Sequence, residues 1–235
     1  MFGVIVNVIT VILGSVVGLI FKKGIPEKIS KATMIGLGAC TLYIGISGCL
    51  CGENVLIVIA SIVLGAIIGT LADIDGAINK IAQKAESKLK KDGQNVSVAE
   101  GIITATLLFC VGAMTVTGSI QAGITGDNSI LITKAMLDLV SSIMLASSFG
   151  IGVLLSAIPV FVIEGGFVLL SKFIAPFLSA GAINEMTCVG SIIIIMLGTN
   201  IIGITKIKIA DYLPAIIIAP IIYNIVLMVS DLVKF

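Results

Sequence analysis

The chain has no histidine, no arginine and no tryptophan, and few charges of either sign. Without histidine, the usual general base near neutral pH and the commonest transition-metal ligand are missing. Without arginine there is no bidentate clamp for carboxylate or phosphate; all 14 basic residues are lysines. Charged residues make up 11% of the sequence, against about 25% in a soluble globular protein. With 58% hydrophobic residues and a mean hydropathy of +1.23, the chain cannot cover a water-facing surface of this size. Its solvent is lipid. A net charge of +1, with no basic patch interleaved with aromatics, leaves no footprint for nucleic acid.

Enzyme signatures are also missing. The sequence holds no phosphate-binding Walker loop, no HExxH, and no nucleophile spaced to meet a base. No enzymatic activity, cofactor or metal is expected. Cys49 and Cys51 form a CxC rather than a CxxC pair, and the five cysteines read best as small buried apolar side chains. The first apolar run has no basic residues ahead of it and is too long for a signal peptide, so it reads as a retained membrane helix.

What is present is a series of apolar runs. A membrane helix needs about 20 largely apolar residues, and on that rule eight spans are expected: 2–21, 31–50, 55–72, 99–117, 129–147, 150–171, 184–204 and 214–232. The expected fold is an all-α polytopic bundle forming a single transmembrane domain over 1–235. Residues 76–97 form its cytoplasmic amphipathic linker, with Ile78, Ile81, Ala82, Ala85 and Leu89 at helical spacing. This segment lies on lipid headgroups or serves as a solvated connector. Eleven lysines fall on one side of the eight-span arrangement and two on the other. Positive residues stay on the cytoplasmic side, so both termini are expected outside, in a bacterial inner membrane.

A faint internal repeat runs through the chain. GSVVGLIFKKGIP at 14–26 resembles GGFVLLSKFIAP at 165–176, and IVLGAIIG at 62–69 resembles IIIAPIIY at 216–223. Spans one to three and six to eight would then be inverted copies around a central glycine-broken pair, spans four and five, as in many secondary transporters.

The polar residues inside this apolar chain are the candidate functional groups. Gly118, Ser119, Gly123, Gly126 and Asp127 lie in GSIQAGITGD. Each glycine in a helix costs about 1 kcal/mol relative to alanine, so this stretch is expected to break the helix, either as a ligand-binding segment or as an external loop with Asp127 in water. Thr117 approaches it from within the membrane. Lys134 and Asp138 are four apart and share a helix face, with Ser141 on roughly the same side. A charge at mid-bilayer costs about 2.5–3.5 kcal/mol on insertion scales. The two form a coupling site that takes up a proton or cation, or a structural ion pair, unless Lys134 snorkels to the interface. Glu164, in the middle of span six, is a candidate by the same rule. Asn7, Asn200 and Asn224 read as packing groups between helices. The GxxxG pairs Gly14/Gly18 and Gly65/Gly69 mark close helix contacts, within the chain or across a homodimer.

The stretch GAMTVTGSIQAGITGD, followed by LITKAMLDLVSSIMLASSFGIGVLLSAIPV and EGG, resembles the YdfK/YqgA family of bacterial membrane proteins, a domain of unknown function. Gly118, Ser119, Gly123, Gly126, Asp127, Lys134, Asp138, Gly150, Gly152, Ser156, Pro159 and Gly165 fit its pattern, and the likeness runs to Ile5–Asn7 at the start. The resemblance implies a bacterial inner-membrane protein and names no activity. Serine is usual in that family where this chain has Ala135, and a neutral amide is common where it has Glu164. A small secondary transporter or ion- or solute-conducting protein is the expected function, with a non-transporting sensor or assembly module as the alternative.

Overall fold

The computed structural model describes residues 1–22, 27–80 and 98–233. Every regular element among them is a helix: α1 (Phe2–Lys22), α2 (Glu27–Cys49), α3 (Val55–Leu71), α4 (Val98–Cys110), α5 (Ala113–Ile124), α6 (Ser129–Phe149), α7 (Ile151–Leu155), α8 (Ala157–Ile174), α9 (Ala180–Ile202) and α10 (Pro214–Val233), with two short 3-10 turns and a short helix Ile74–Lys80. Five helical runs are long and apolar enough to cross a membrane alone, and up to seven if each of two bent pairs is one span. The apolar part of α2, Ile35–Cys49, is shorter. Of the expected amphipathic segment 76–97, residues 81–97 lie outside the described residues.

The faces of these helices show which solvent they meet. On α6, Leu131, Lys134, Ala135, Asp138, Ser142 and Leu145 are buried, while Met136, Leu137, Val140 and Met144 are exposed. Apolar residues therefore point outward and polar ones inward, the reverse of a soluble helix and the arrangement that hydrocarbon demands.

Small residues set the packing. α1 lies along α6, with Gly3 on Leu131 at one end and Gly18 on Ile143 and Ala146 at the other, so the two run parallel. A Cβ on Gly14 would collide with Ser142 Oγ. α2 runs antiparallel to α9: Gly38 meets Ile202 and Gly52 meets Cys188. α3 pairs antiparallel with α10, Gly65 on Ala215 and Gly69 on Asp211. Both GxxxG pairs are thus used inside the chain, which removes them as an argument for a homodimer.

The elements sort into two groups. α1, α6, α5 and α8 surround one core, and α2, α9, α3 and α10 form the other group. They meet where Val111, at the bend between α4 and α5, packs on Gly190 of α9.

The broken helix is not where the glycines of GSIQAGITGD place it. Gly118, Ser119 and Gly123 are all inside α5. The chain instead bends by 62° between Val98–Cys110 and Met114–Ile124. Tight packing explains why the glycines stay helical: Gly118 sits on Ile130 and Gly123 on the Val168 carbonyl and Ser171, where no side chain would fit. α6, the other expected member of the broken pair, is continuous from Ser129 to Phe149. It stops at Gly150, whose φ of 73° is open to glycine and strained for other residues.

Lysines collect at one end. Lys28 and Lys31 start α2, Lys206 and Lys208 follow α9, and Lys80 ends the short helix that Asp211 holds through Asp75. Lys172, near the end of α8, is at the other end.

Candidate functional site

Three helices bring the site together. α6 supplies Lys134 and Asp138, one turn apart. α8 supplies Glu164, on the buried face that also carries Val160 and Val168. α1 supplies Asn7, between the fully buried Val4 and Val11. Because α1 packs so closely on α6 through its glycines, Asn7 is carried to the carboxylates.

Lys134 Nζ donates to Asp138 Oδ2 and lies 3.0 Å from Glu164 Oε1. Asn7 Nδ2 donates to the same Glu164 oxygen at 2.8 Å. The ammonium sits 6.0 Å from the ring centroid of Phe109, the residue just before the α4–α5 bend. There, the Phe109 carbonyl accepts from Thr115 Oγ1 at 2.8 Å, which satisfies a backbone group the bend releases from the helix ladder. The Cys110 thiol lies within electrostatic reach of all three charged groups.

The cluster is enclosed. The Lys134 side chain is 7% exposed, that of Asp138 9% and that of Glu164 0%. Among the described residues, the buried oxygens without a protein partner include Asn7 Oδ1, Glu164 Oε2 and Ser119 Oγ here, and Ser15 Oγ two turns further along α1. With every group ionised, one ammonium faces two carboxylates and the site carries a net charge of −1. Uncompensated charge in a low-dielectric interior is expensive, several kcal/mol even after relaxation. A proton or another cation would bring the cluster to neutrality.

Cavities among the described residues lie away from this cluster. A polar one of about 210 Å³ opens at the lysine-rich end, lined by Asp75, Asn79, Glu100 and Asn200 among others. An apolar groove of about 420 Å³ runs between Ile102, Thr106, Leu107, Ile158, Pro159 and Ile163. Neither is lined by Lys134, Asp138, Glu164 or Asn7.

Of the sequence-predicted candidates, Lys134, Asp138 and Glu164 are brought together by the fold. Asp127 and Gly126 are instead exposed in the loop between α5 and α6. Asp127 Oδ1 accepts from Ser129 N at 2.9 Å and Oδ2 from Gln121 Nε2 at 2.6 Å. These bonds to Ser129 and Gln121 hold its carboxyl below the ordinary aspartate range. Thr117 is exposed, and Ser141 is half-buried one turn beyond Asp138. Asn200 and Asn224 do fasten the chain: Asn200 binds both backbone groups of Ile207, and Asn224 binds the Phe177 carbonyl. The cysteines depart from expectation. Only Cys188 is buried, and Cys40 is exposed on α2, as an apolar thiol facing hydrocarbon can be.

Asn7, read as a packing group between helices, does bond across from α1 to α8, and its partner there is Glu164. One polar group was missed. Glu185 on α9 is 0% exposed. Its Oε1 accepts from the backbone N–H of Glu53 at 2.8 Å and of Asn54 at 2.7 Å, and so it holds the start of α3. An acid in an apolar span was its signal.

A family model described as "Protein of unknown function (DUF554)" matches residues 2–224. The chain belongs to this family. It is 33% identical over 230 residues to "Uncharacterized membrane protein YdfK" of Bacillus subtilis (strain 168), covering 96% of this chain and 97% of that one. It is 28% identical over 220 residues to "Uncharacterized protein YqgA" of Escherichia coli (strain K12), covering 92% and 94%. No solved structure matches. The chain is a helical membrane protein of this family, and the resemblance seen in its central stretch extends across nearly its whole length.

Proposed function

We propose that the chain is a small secondary transporter, or an ion- or solute-conducting protein, of the bacterial inner membrane. The observation that carries this reading is the buried cluster of Lys134, Asp138 and Glu164, one amine against two carboxyl groups in the interior of a lipid-embedded bundle. Ionisable groups at that depth are costly, and they characteristically mark ion or proton pathways. The sharp bend between α4 and α5, beside Lys134, fits the discontinuous helices that build such sites. The lysines gathered at one end support an orientation with that end in the cytoplasm and both termini outside. The opposed directions of α1 and α8, α2 and α9, and α3 and α10 fit the inverted repeat, and no enzymatic role enters this reading.

The test is access from water. A cysteine at Ser141, in a background lacking the five native cysteines, is exposed to an impermeant thiol reagent from each side. Labelling from either side supports a wet path to Asp138. Protection from both sides, with function retained in Asp138→Asn, would leave the cluster as a structural network. The enclosure of the cluster favours that second reading, a non-transporting sensor or assembly module.

A further inference from the structure

The count of charges and the unpartnered oxygens bear on what the site takes up. Asp138 is bound directly by Lys134. Glu164 shares the same ammonium through one oxygen only and leaves Oε2, fully buried, without a donor. One lysine neutralises one carboxylate, so the excess charge belongs to Glu164. Asn7 turns its amide nitrogen to Glu164 Oε1 and keeps its carbonyl oxygen, also buried, unpaired. Ser119 Oγ is another buried oxygen without a partner. It lies one turn before Gly123, which packs on Val168, and Glu164 lies one turn before Val168. The hydroxyl therefore sits on the face of α5 that looks toward α8, at about the level of the carboxylate.

We infer that Glu164 Oε2 and Asn7 Oδ1, with Ser119 Oγ at the same level, supply the protein ligands for one monovalent metal cation of the sodium class.

The ligand chemistry sets the type of ion. Carboxylate, amide carbonyl and hydroxyl oxygens are hard donors that suit alkali and alkaline-earth ions over thiophilic or imidazole-seeking metals. The charge sets its valence. A monovalent ion brings the cluster of Lys134, Asp138 and Glu164 to zero, whereas a divalent ion would leave one positive charge beside the Lys134 ammonium in a dry interior. A proton on Glu164 also neutralises the cluster and so competes with the metal. Among the described residues, the other charged or titratable groups near Glu164 are Lys134 and Asp138 on α6 and Cys110 on α4. This deepens the transporter reading by naming the ion, and it rests on that reading only for the claim that the ion moves.

The experiment is thermal unfolding of the purified full-length protein in detergent, followed by circular dichroism, in sodium chloride and in choline chloride of equal concentration. Sodium is expected to raise the melting temperature saturably, and choline is expected to leave it unchanged. Glu164→Gln should abolish the difference, and Asn7→Ala should require about tenfold more sodium or more for the same shift. If Glu164→Gln does not fold, the wild-type protein still decides: the sodium effect must shrink in acidic buffer, where protons occupy Glu164. Equal melting in sodium and choline overturns the inference, and so does stronger stabilisation by calcium than by sodium. Labelling at Ser141 together with sodium-independent melting would sink the cation site and leave the transporter reading standing. Sodium-dependent melting with no labelling from either side would do the reverse.

Discussion

Glu164 and Glu185 are the same residue type at the same burial, 0% exposed, one in each half of the molecule. Their partners differ. Glu185 gives one oxygen to two backbone N–H groups at the start of α3, which a helix end leaves unpaired and partly positive. It is a fixed part of the scaffold made by α2, α3, α9 and α10. Asp211 does similar work at the other end, accepting from the Asp75 N–H at 3.0 Å. Glu164 has no helix terminus to bind. Its partners are a side-chain ammonium shared with another acid and a side-chain amide, both of which can be rearranged without undoing a helix. An apolar span that carries an acid is therefore not by itself a functional signal. What separates the two cases is whether the partner is backbone or side chain, and whether a second acid shares it.

The comparison can be broken at several points. The largest effect is expected from Lys134→Met, which strands two buried carboxylates. Removing one partner of a buried ionic network costs about 3–5 kcal/mol, and combining the change with Asp138→Asn and Glu164→Gln should recover most of the loss. Equal thermal stability of the single variant and the wild type would show that the cluster is not ionised. Next comes Glu185→Ala. It leaves the N–H groups of Glu53 and Asn54 without their acceptor, at about 1–3 kcal/mol each, and should lower the melting temperature equally in sodium and in choline. A cation-dependent loss would erase the distinction between the two glutamates.

Packing variants come third. Gly14→Val would drive a side chain into Ser142 and loosen α1 from α6, with an expected destabilisation of about 1–3 kcal/mol. Because α1 carries Asn7, the same change should also weaken any sodium response. Gly69→Val pushes against the Asp211 backbone in the other half, and should destabilise by a similar amount while leaving the response to sodium intact. The smallest effect belongs to Asp127→Asn. The Asp127 carboxyl is held below its ordinary value by Ser129 and Gln121, so its contribution is complete above the ordinary aspartate pKa of about 3.9. That contribution fades as pH falls through the lowered value. The variant should melt slightly below the wild type at neutral pH, and the two should converge in strong acid.

Composition and periodicity carry the lipid-embedded helical class and most of the helix positions, because the hydrocarbon imposes a length and a polarity that a sequence displays directly. Lys134, Asp138 and Glu164 were legible as candidates for the same reason: charge is scarce, so each instance stands out; that Glu164 joins the other two was not. The bend was not legible. A run of glycines predicts a break only when the alternative is open space, and here Gly118 and Gly123 are held helical by Ile130, Val168 and Ser171 against them. The roles of Asn7 and Glu185 also lay beyond a one-dimensional reading. Each depends on a partner more than 100 residues away in the chain, and nothing in the local pattern tells an amide beside a carboxylate from one beside another helix.

The distinction between the two glutamates can be observed at the carboxyl group itself. Infrared difference spectra of the purified protein between acidic and alkaline buffer report protonated carboxyl C=O groups, with Glu164→Gln and Glu185→Gln compared against the wild type. The expected result is a buried-carboxyl band that disappears in Glu164→Gln, persists in Glu185→Gln, and is suppressed by sodium in the wild type. A band unchanged by Glu164→Gln, or one lost only in Glu185→Gln, would contradict the assignment of the exchangeable charge to Glu164.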